Sequence, residues 1–188
     1  MIKIGITGSI SSGKTTASKI ISKGYGPLFS ADKTVKHLYS KKIFRRLIAN
    51  RLNFKVQPNF ITNLKKKILF NKKNLRKIEK IIHPKVRKEM LLFIKRNSGK
   101  NYLFFEIPLL VESKLYNLFD TTIFIKCSKK IRLNRYKKNK GHSKLFLFLD
   151  KQQLPEKKKM KFCDHIIVNN SSLFVLKKKL INIIKKYE

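Results

Sequence analysis

Residues 4–16 read Ile4-Gly5-Ile6-Thr7-Gly8-Ser9-Ile10-Ser11-Ser12-Gly13-Lys14-Thr15-Thr16. From Gly8 to Thr15 the run is G-x-x-x-x-G-K-[ST] in full. The apolar run Ile2 to Thr7 leads into it and reads as a buried strand, and Ser12 to Lys23 follows as a helix. That setting separates a phosphate loop from a chance match in a glycine turn. Gly8 and Gly13 let the backbone curl so that successive N–H groups point at phosphate oxygens. The helix adds its positive end to the same pocket. Lys14 reaches the β- and γ-phosphates, Thr15 offers a hydroxyl to Mg²⁺, and Thr16 reaches the α-phosphate. Together with Ser11 and Ser12, these residues are the expected nucleotide-binding set, with ATP the expected nucleotide.

Working outward, short apolar runs alternate with helical patterns, which predicts an α/β protein with a mostly parallel sheet. Pro27 to Ser30, Tyr102 to Ile107, Thr121 to Lys126 and His165 to Val168 read as four further strands. Five strands with helices between them make the three-layer α/β/α core of a phosphate-loop NTPase. Asp32 to about Arg96 is largely helical, with apolar residues at threes and fours, as in Leu75, Ile78, Ile81 and Ile82. Pro84 is expected to open a helix, where its missing N–H costs nothing. Ser128 is expected to cap a helix over Lys129 to Lys138, Lys137 to Ser143 to form a mobile loop, and Ser171 to Tyr187 a C-terminal amphipathic helix.

The chain has 188 residues, of which 42% are hydrophobic, a globular composition. No apolar run approaches the length that spans a bilayer. The N-terminus lacks the features of a signal peptide, and Cys127 and Cys163 show no metal-ligand spacing, so a cytoplasmic protein with reduced thiols is expected. The formal net charge is +36. Such a field attracts polyanions in general. The lysines are spread over every segment among Ile, Asn, Phe and Leu, so drift in base composition is the favoured account over dedicated nucleic-acid binding.

The loop alone does not name an acceptor, since kinases, GTPases and motors share it. No guanine-reading Asn/Thr-Lys-x-Asp run is present, and a motor needs a longer chain, so small-molecule kinases lead. Ser30-Ala31-Asp32 ends the second strand, and the carboxyl ends of strands line the crevice of an open α/β sheet. A carboxylate there orients or deprotonates an attacking hydroxyl; equally, Asp32 caps the helix that follows.

The chain resembles the dephospho-CoA kinases along essentially its whole length. The stretch from Ile4 to Thr16 is similar to the family's I-G-L-T-G-G-I-G-S-G-K-S-T. Ser30-Ala31-Asp32 resembles D-A-D, and Ile82-His83-Pro84-Lys85-Val86-Arg87 resembles L-H-P-x-V-R. Ile107 to Glu112 resembles I-P-L-L-F-E, Gln153-Leu154-Pro155 resembles Q-M-P, and Cys163 to Asn170 resembles A-D-x-V-I-D-N. The resemblance implies transfer of the γ-phosphoryl group of ATP to the 3′-hydroxyl of dephospho-CoA, the last step of coenzyme A synthesis. It implies a core (about 1–31, 99–130 and 162–188), a helical acceptor region (about 32–98) and a lid (about 131–161). It makes Asp32 the catalytic carboxylate, places His83 and Arg87 in the acceptor region, and makes Arg135 a lid arginine that clamps the transferring phosphate. The implied partners are ATP and dephospho-CoA, with no membrane and no specific nucleic acid; the oligomeric state stays open, a monomer being the default.

The chain departs from the pattern at named positions. Ser9 and Ser11 replace loop glycines, and Ser30 replaces the first Asp of D-A-D. Lys36 stands for an Arg, Glu106 for an Asp, and Asn139 for a second lid arginine. Two rivals remain: a kinase for a nucleoside or nucleotide, and a basic nucleic-acid-stimulated NTPase.

Overall fold

The computed structural model describes the backbone of all 188 residues and every side chain but those of Phe70 and Lys72. A parallel five-stranded sheet is built from β1 (Ile2–Gly8), β2 (Leu28–Ser30), β3 (Tyr102–Glu106), β4 (Thr121–Lys126) and β5 (His165–Val168). The strand order is β2-β3-β1-β4-β5. The first strand is therefore central, with Ile4 opposite Phe104 on one side and Thr121 on the other. All five carboxyl ends lie on one edge, where the loop after β1 begins.

Sequence chemistry accounts for this arrangement. The inner strands are near-continuous apolar runs because a parallel sheet is covered on both faces, whereas Ile166 and Val168 on the edge strand β5 stay exposed. On one face Ile4, Ile6, Phe104, Ile123, Ile125 and Ile167 pack with helices α1 (Lys14–Tyr25) and α9 (Leu173–Ile184). Leu103, Phe105 and Phe124 alternate to the other face and are fully buried. Each such side chain contributes about 1.5–3 kcal/mol when removed from water.

Contacts divide the chain into two compact units, Met1–Ser30 with Asn97–Glu188, and Ala31–Arg96. The second is helical: α2 (Ala31–Ser40), α3 (Lys42–Arg51), α4 (Phe60–Phe70) and α5 (Lys72–Arg96). Its core gathers Leu38, Phe44, Ile48, Leu52, Phe60 and Ile78. Phe54 stacks on Phe60 with centroids 5.5 Å apart, and burial pushes the Tyr39 hydroxyl up to about 12. In the first unit, α6 (Lys129–Lys138), α7 (Ser143–Gln152) and α8 (Glu156–Met160) follow β4.

Three expectations change. Pro84 does not open a helix; it lies inside the 25-residue α5. Pro84 is solvent-exposed, while Ile78, Ile81, Ile82 and Val86 pack on the unit's core on both sides of it. Burial of that stripe outweighs the one hydrogen bond that proline removes. Second, α1 starts at Lys14, because Gly13 takes a left-handed conformation with φ 97°. Third, the segment after α6 narrows to residues 139–142, with Lys140 left-handed at φ 59° and α7 starting at Ser143. Ser128 caps α6 as expected, its hydroxyl accepting the Ile131 N–H at 3.4 Å.

Candidate active site

The loop at the end of β1 has the backbone its glycines allow. Gly8 has φ 151° and Gly13 φ 97°. A Cβ on Gly8 would stand 2.5 Å from the Ile125 carbonyl oxygen, and one on Gly13 would overlap Nδ2 of Asn169. Neither position has room for a side chain, so the motif's glycines are needed for space as well as for φ.

The two serines that stand where loop glycines are usual behave differently. Ser11 is left-handed, at φ 56°. Ser9 is not; its hydroxyl donates to Oε1 of Glu156 at 2.7 Å and it is 3% exposed. Ser11→Gly relieves a left-handed conformation worth about 1 kcal/mol and adds about 0.5 kcal/mol of unfolded-chain entropy, so stability should rise slightly or hold. Ser9→Gly removes a charge-assisted hydrogen bond and should cost about 2 kcal/mol. Urea denaturation of the two variants checks this; equal losses would contradict the loop geometry.

Lys14 is only 8% exposed, and its ammonium donates to the Ser9 carbonyl oxygen at 2.8 Å. Thr15 and Thr16 follow in the first turn of α1, both exposed. The Thr15 hydroxyl is hydrogen-bonded to Oε1 of Glu106, and the Ser30 hydroxyl donates to Oε2 of the same carboxylate at 3.1 Å. Glu106 is 2% exposed. The missing acid at 30 and the longer acid at 106 are thus one arrangement: a second carboxylate at 30 would face Glu106 at close range, whereas a hydroxyl satisfies it. Ser12 places a buried hydroxyl in the loop with no hydrogen-bond partner among the described residues, a polar atom available to a ligand.

Arg135 reaches the loop from behind. Nη1 donates to the Ser12 carbonyl oxygen at 3.1 Å and approaches Sγ of Cys127 at 3.4 Å, while Nη2 donates to the Asn169 carbonyl oxygen at 3.2 Å. Burial holds the Cys127 thiol above its usual range, and the neighbouring Arg135 and Arg132 guanidiniums act in the opposite sense.

Asp32 lies in the first turn of α2 and is exposed. It is inside the helix, one residue past its start, where its charge complements the helix's positive end. His83 and Arg87, with Pro84, Lys88 and Leu91, line a cavity of about 380 Å³ on α5. Asp32, His83 and Arg87 belong to the helical unit; the loop, Thr15, Glu106 and Arg135 belong to the sheet unit.

Four residues at the loop were not singled out as site residues from the sequence. Asn169, 5% exposed, donates from Nδ2 to the Ser12 carbonyl oxygen at 2.8 Å. Gln153 Oε1 accepts the Ile10 N–H at 3.1 Å, Glu156 holds Ser9, and the 5%-exposed Arg132 donates to the Ile10 carbonyl oxygen at 3.4 Å. One signal was available. Only eight of the 46 basic residues are arginine, and two of those sit three apart at 132 and 135, one helix face.

The family model described as dephospho-CoA kinase matches residues 2–174. A dephospho-CoA kinase of Bartonella quintana is 35% identical over 175 residues, 90% of each chain. Among solved structures, a Thermus thermophilus protein is similar with a TM-score of 0.83 at 25% identity, covering 100% of this chain and 98% of the other. Dephospho-CoA kinase from Campylobacter jejuni is similar with a TM-score of 0.66 at 25% identity, covering 98% of this chain and 96% of the other. With the phosphate loop formed and the match running through nearly the whole length, this chain belongs to the dephospho-CoA kinase family.

Proposed function

We propose that this protein transfers the γ-phosphoryl group of ATP to the 3′-hydroxyl of the ribose in dephospho-CoA, producing coenzyme A. The observation that carries the reading is the phosphate loop of a family member: two glycines with no room for a Cβ, a buried Lys14, and a buried Ser12 hydroxyl with no hydrogen-bond partner among the described residues.

The residues divide the work as follows. Backbone N–H groups of Ser11 and of residues 13–15, with the N-terminus of α1, receive the phosphates. Lys14 leaves the Ser9 carbonyl for the β- and γ-oxygens and neutralises charge that grows in the transition state. Asp32 accepts the proton of the ribose hydroxyl as its oxygen attacks phosphorus, and ADP departs. His83 and Arg87 bind the acceptor. Residues 131–161 form a lid that excludes water, since an open site loses ATP to hydrolysis.

The donor set fits Mg²⁺. Thr15 offers a hydroxyl and Glu106 a carboxylate, both hard oxygens, and they are already adjacent. Thr15 would hold the ion directly, with Glu106 fixing the hydroxyl. Mg²⁺ held there would neutralise charge on the triphosphate.

The test offers purified protein labelled ATP with dephospho-CoA, nucleosides and nucleotides in parallel. Label is expected in coenzyme A. Robust labelling of a nucleoside, with none of dephospho-CoA, would reject the reading. ATP hydrolysis stimulated by polynucleotide would favour the nucleic-acid rival.

A further inference from the structure

The main chain of the phosphate loop is gripped from outside at alternate peptide groups. Arg132 donates to the carbonyl oxygen of Ile10, and Arg135 and Asn169 both donate to that of Ser12. In a trans peptide the C=O of one residue and the N–H of the next point in opposite directions, and the chain has no cis peptide. A carbonyl held outward at Ile10 therefore aims the N–H of Ser11 to the other side, and one held outward at Ser12 does the same for Gly13.

The neighbouring peptide is consistent with this alternation. The Ser9 carbonyl is turned the other way, to the Lys14 ammonium at 2.8 Å, and the Ile10 N–H of that same peptide points out to Gln153 at 3.1 Å. Each of these three peptide planes is thus held by a named side chain, the first also by the Ser12 N–H, which donates to the Ser9 carbonyl oxygen at 3.2 Å.

We infer that Arg132 is a positioning residue for phosphoryl transfer, fixing the Ile10–Ser11 peptide so that the Ser11 N–H faces the nucleotide phosphates, while Arg135 and Asn169 fix the Ser12–Gly13 peptide for the Gly13 N–H. This rests on the reading of the loop as an ATP site. Arg132 suits the task because its planar fork is itself fixed at several points. Nη1 bonds Asp150 Oδ1 at 2.6 Å, Nε donates to the Cys127 carbonyl oxygen at 3.2 Å and lies 3.5 Å from Glu156 Oε1, and the guanidinium carbon stands 5.6 Å from the Phe146 ring centroid. Preorganised N–H vectors matter because rotating a peptide after the nucleotide arrives takes free energy from binding and from the transition state. Asp150, Gln153 and Glu156, all at one end of the lid segment, complete the cluster, so the lid segment and the loop share one partly buried hydrogen-bond network.

The experiment uses full-length protein and two readouts. Arg132→Lys keeps a positive charge against Asp150 and Glu156 but loses the fork, so one ammonium has to choose among acceptors. In wild-type protein, ADP is expected to move the amide protons of both Ser11 and Gly13 downfield in ¹⁵N-resolved spectra. In Arg132→Lys the Ser11 change should fall below about half, the Gly13 change should persist, and KM for ATP should rise about tenfold while KM for dephospho-CoA stays within about twofold. If the variant melts too low to study, Arg132→Gln with Asp150→Asn removes both charges together and is read the same way. Unchanged Ser11 shifts and ATP KM, or equal loss at Ser11 and Gly13, would overturn the role of Arg132. A wild-type protein that binds no ADP would overturn the nucleotide reading itself, and this inference with it.

Discussion

Lys14→Ala is expected to lower kcat/KM about 10³-fold, the scale seen when a preorganised charge is removed from a transition state. The loss should fall on both arms of the kinetics. The ammonium sits in the loop, donates to the Ser9 carbonyl oxygen at 2.8 Å and is nearly buried. Its charge therefore acts in a poorly screened setting, where it is worth more than in water. Removing it also takes one hydrogen bond from the Ser9–Ile10 peptide, which keeps Gln153 on its N–H and the Ser12 N–H on its carbonyl. Steady-state kinetics with ATP varied, together with calorimetric titration of ADP, separates the effects: weaker binding and slower turnover are both expected. Ordinary kinase rates in this variant would mean that phosphate is handled somewhere other than this loop.

Asp32→Asn should leave ADP binding within about twofold and lower turnover by about 10²- to 10⁴-fold, the range for removal of a general base. Asparagine keeps the shape and the polarity at the start of α2 and loses the proton acceptor. Its helix-end contribution is small, about 0.3–1 kcal/mol, so a thermal melt should hardly move. Near-normal turnover would return Asp32 to a purely structural place in the first turn of α2. Alanine at 32 serves as a second check, since a base role predicts equal loss in both variants and a hydroxyl-orienting role predicts that asparagine retains more.

The elements read most directly from the sequence are those whose signals are local. Thr121 to Lys126 and His165 to Val168 are apolar runs of strand length, and both form strands with those bounds. Ser128 sits at the boundary of α6, and a hydroxyl is what the first free N–H groups of a helix need. Pro84 shows the limit: the local rule predicts a boundary, but packing of Ile78, Ile82 and Val86 carries α5 past it. The loop's identity was legible in the eight residues from Gly8 to Thr15; its fastening was not. Asn169 lies 157 residues from Ser12, and Arg132 lies 122 from Ile10. Nothing local to Asn169 or Arg132 marks a side chain that will reach so far along the chain. Composition offers only the scarcity of arginine, eight against 38 lysines, which marks Arg132 as unusual without saying what it reaches.

The placement of β1 at the centre of the sheet has a consequence for the newborn protein. Its partners, Tyr102–Glu106 and Thr121–Lys126, are made about a hundred residues after it. Ala31–Arg96 is one unbroken stretch whose helices contact one another, so it can fold as it leaves the ribosome. The first strand has no such option. At ordinary synthesis rates it waits roughly 5 to 20 s as an apolar ribbon with unsatisfied edges, and the catalytic loop behind it stays shapeless for the same interval. Chaperone capture in that window therefore bears first on Ile2 to Thr7, and a chain arrested after Arg96 but before Tyr102 has its helical stretch complete while its nucleotide site has yet to exist.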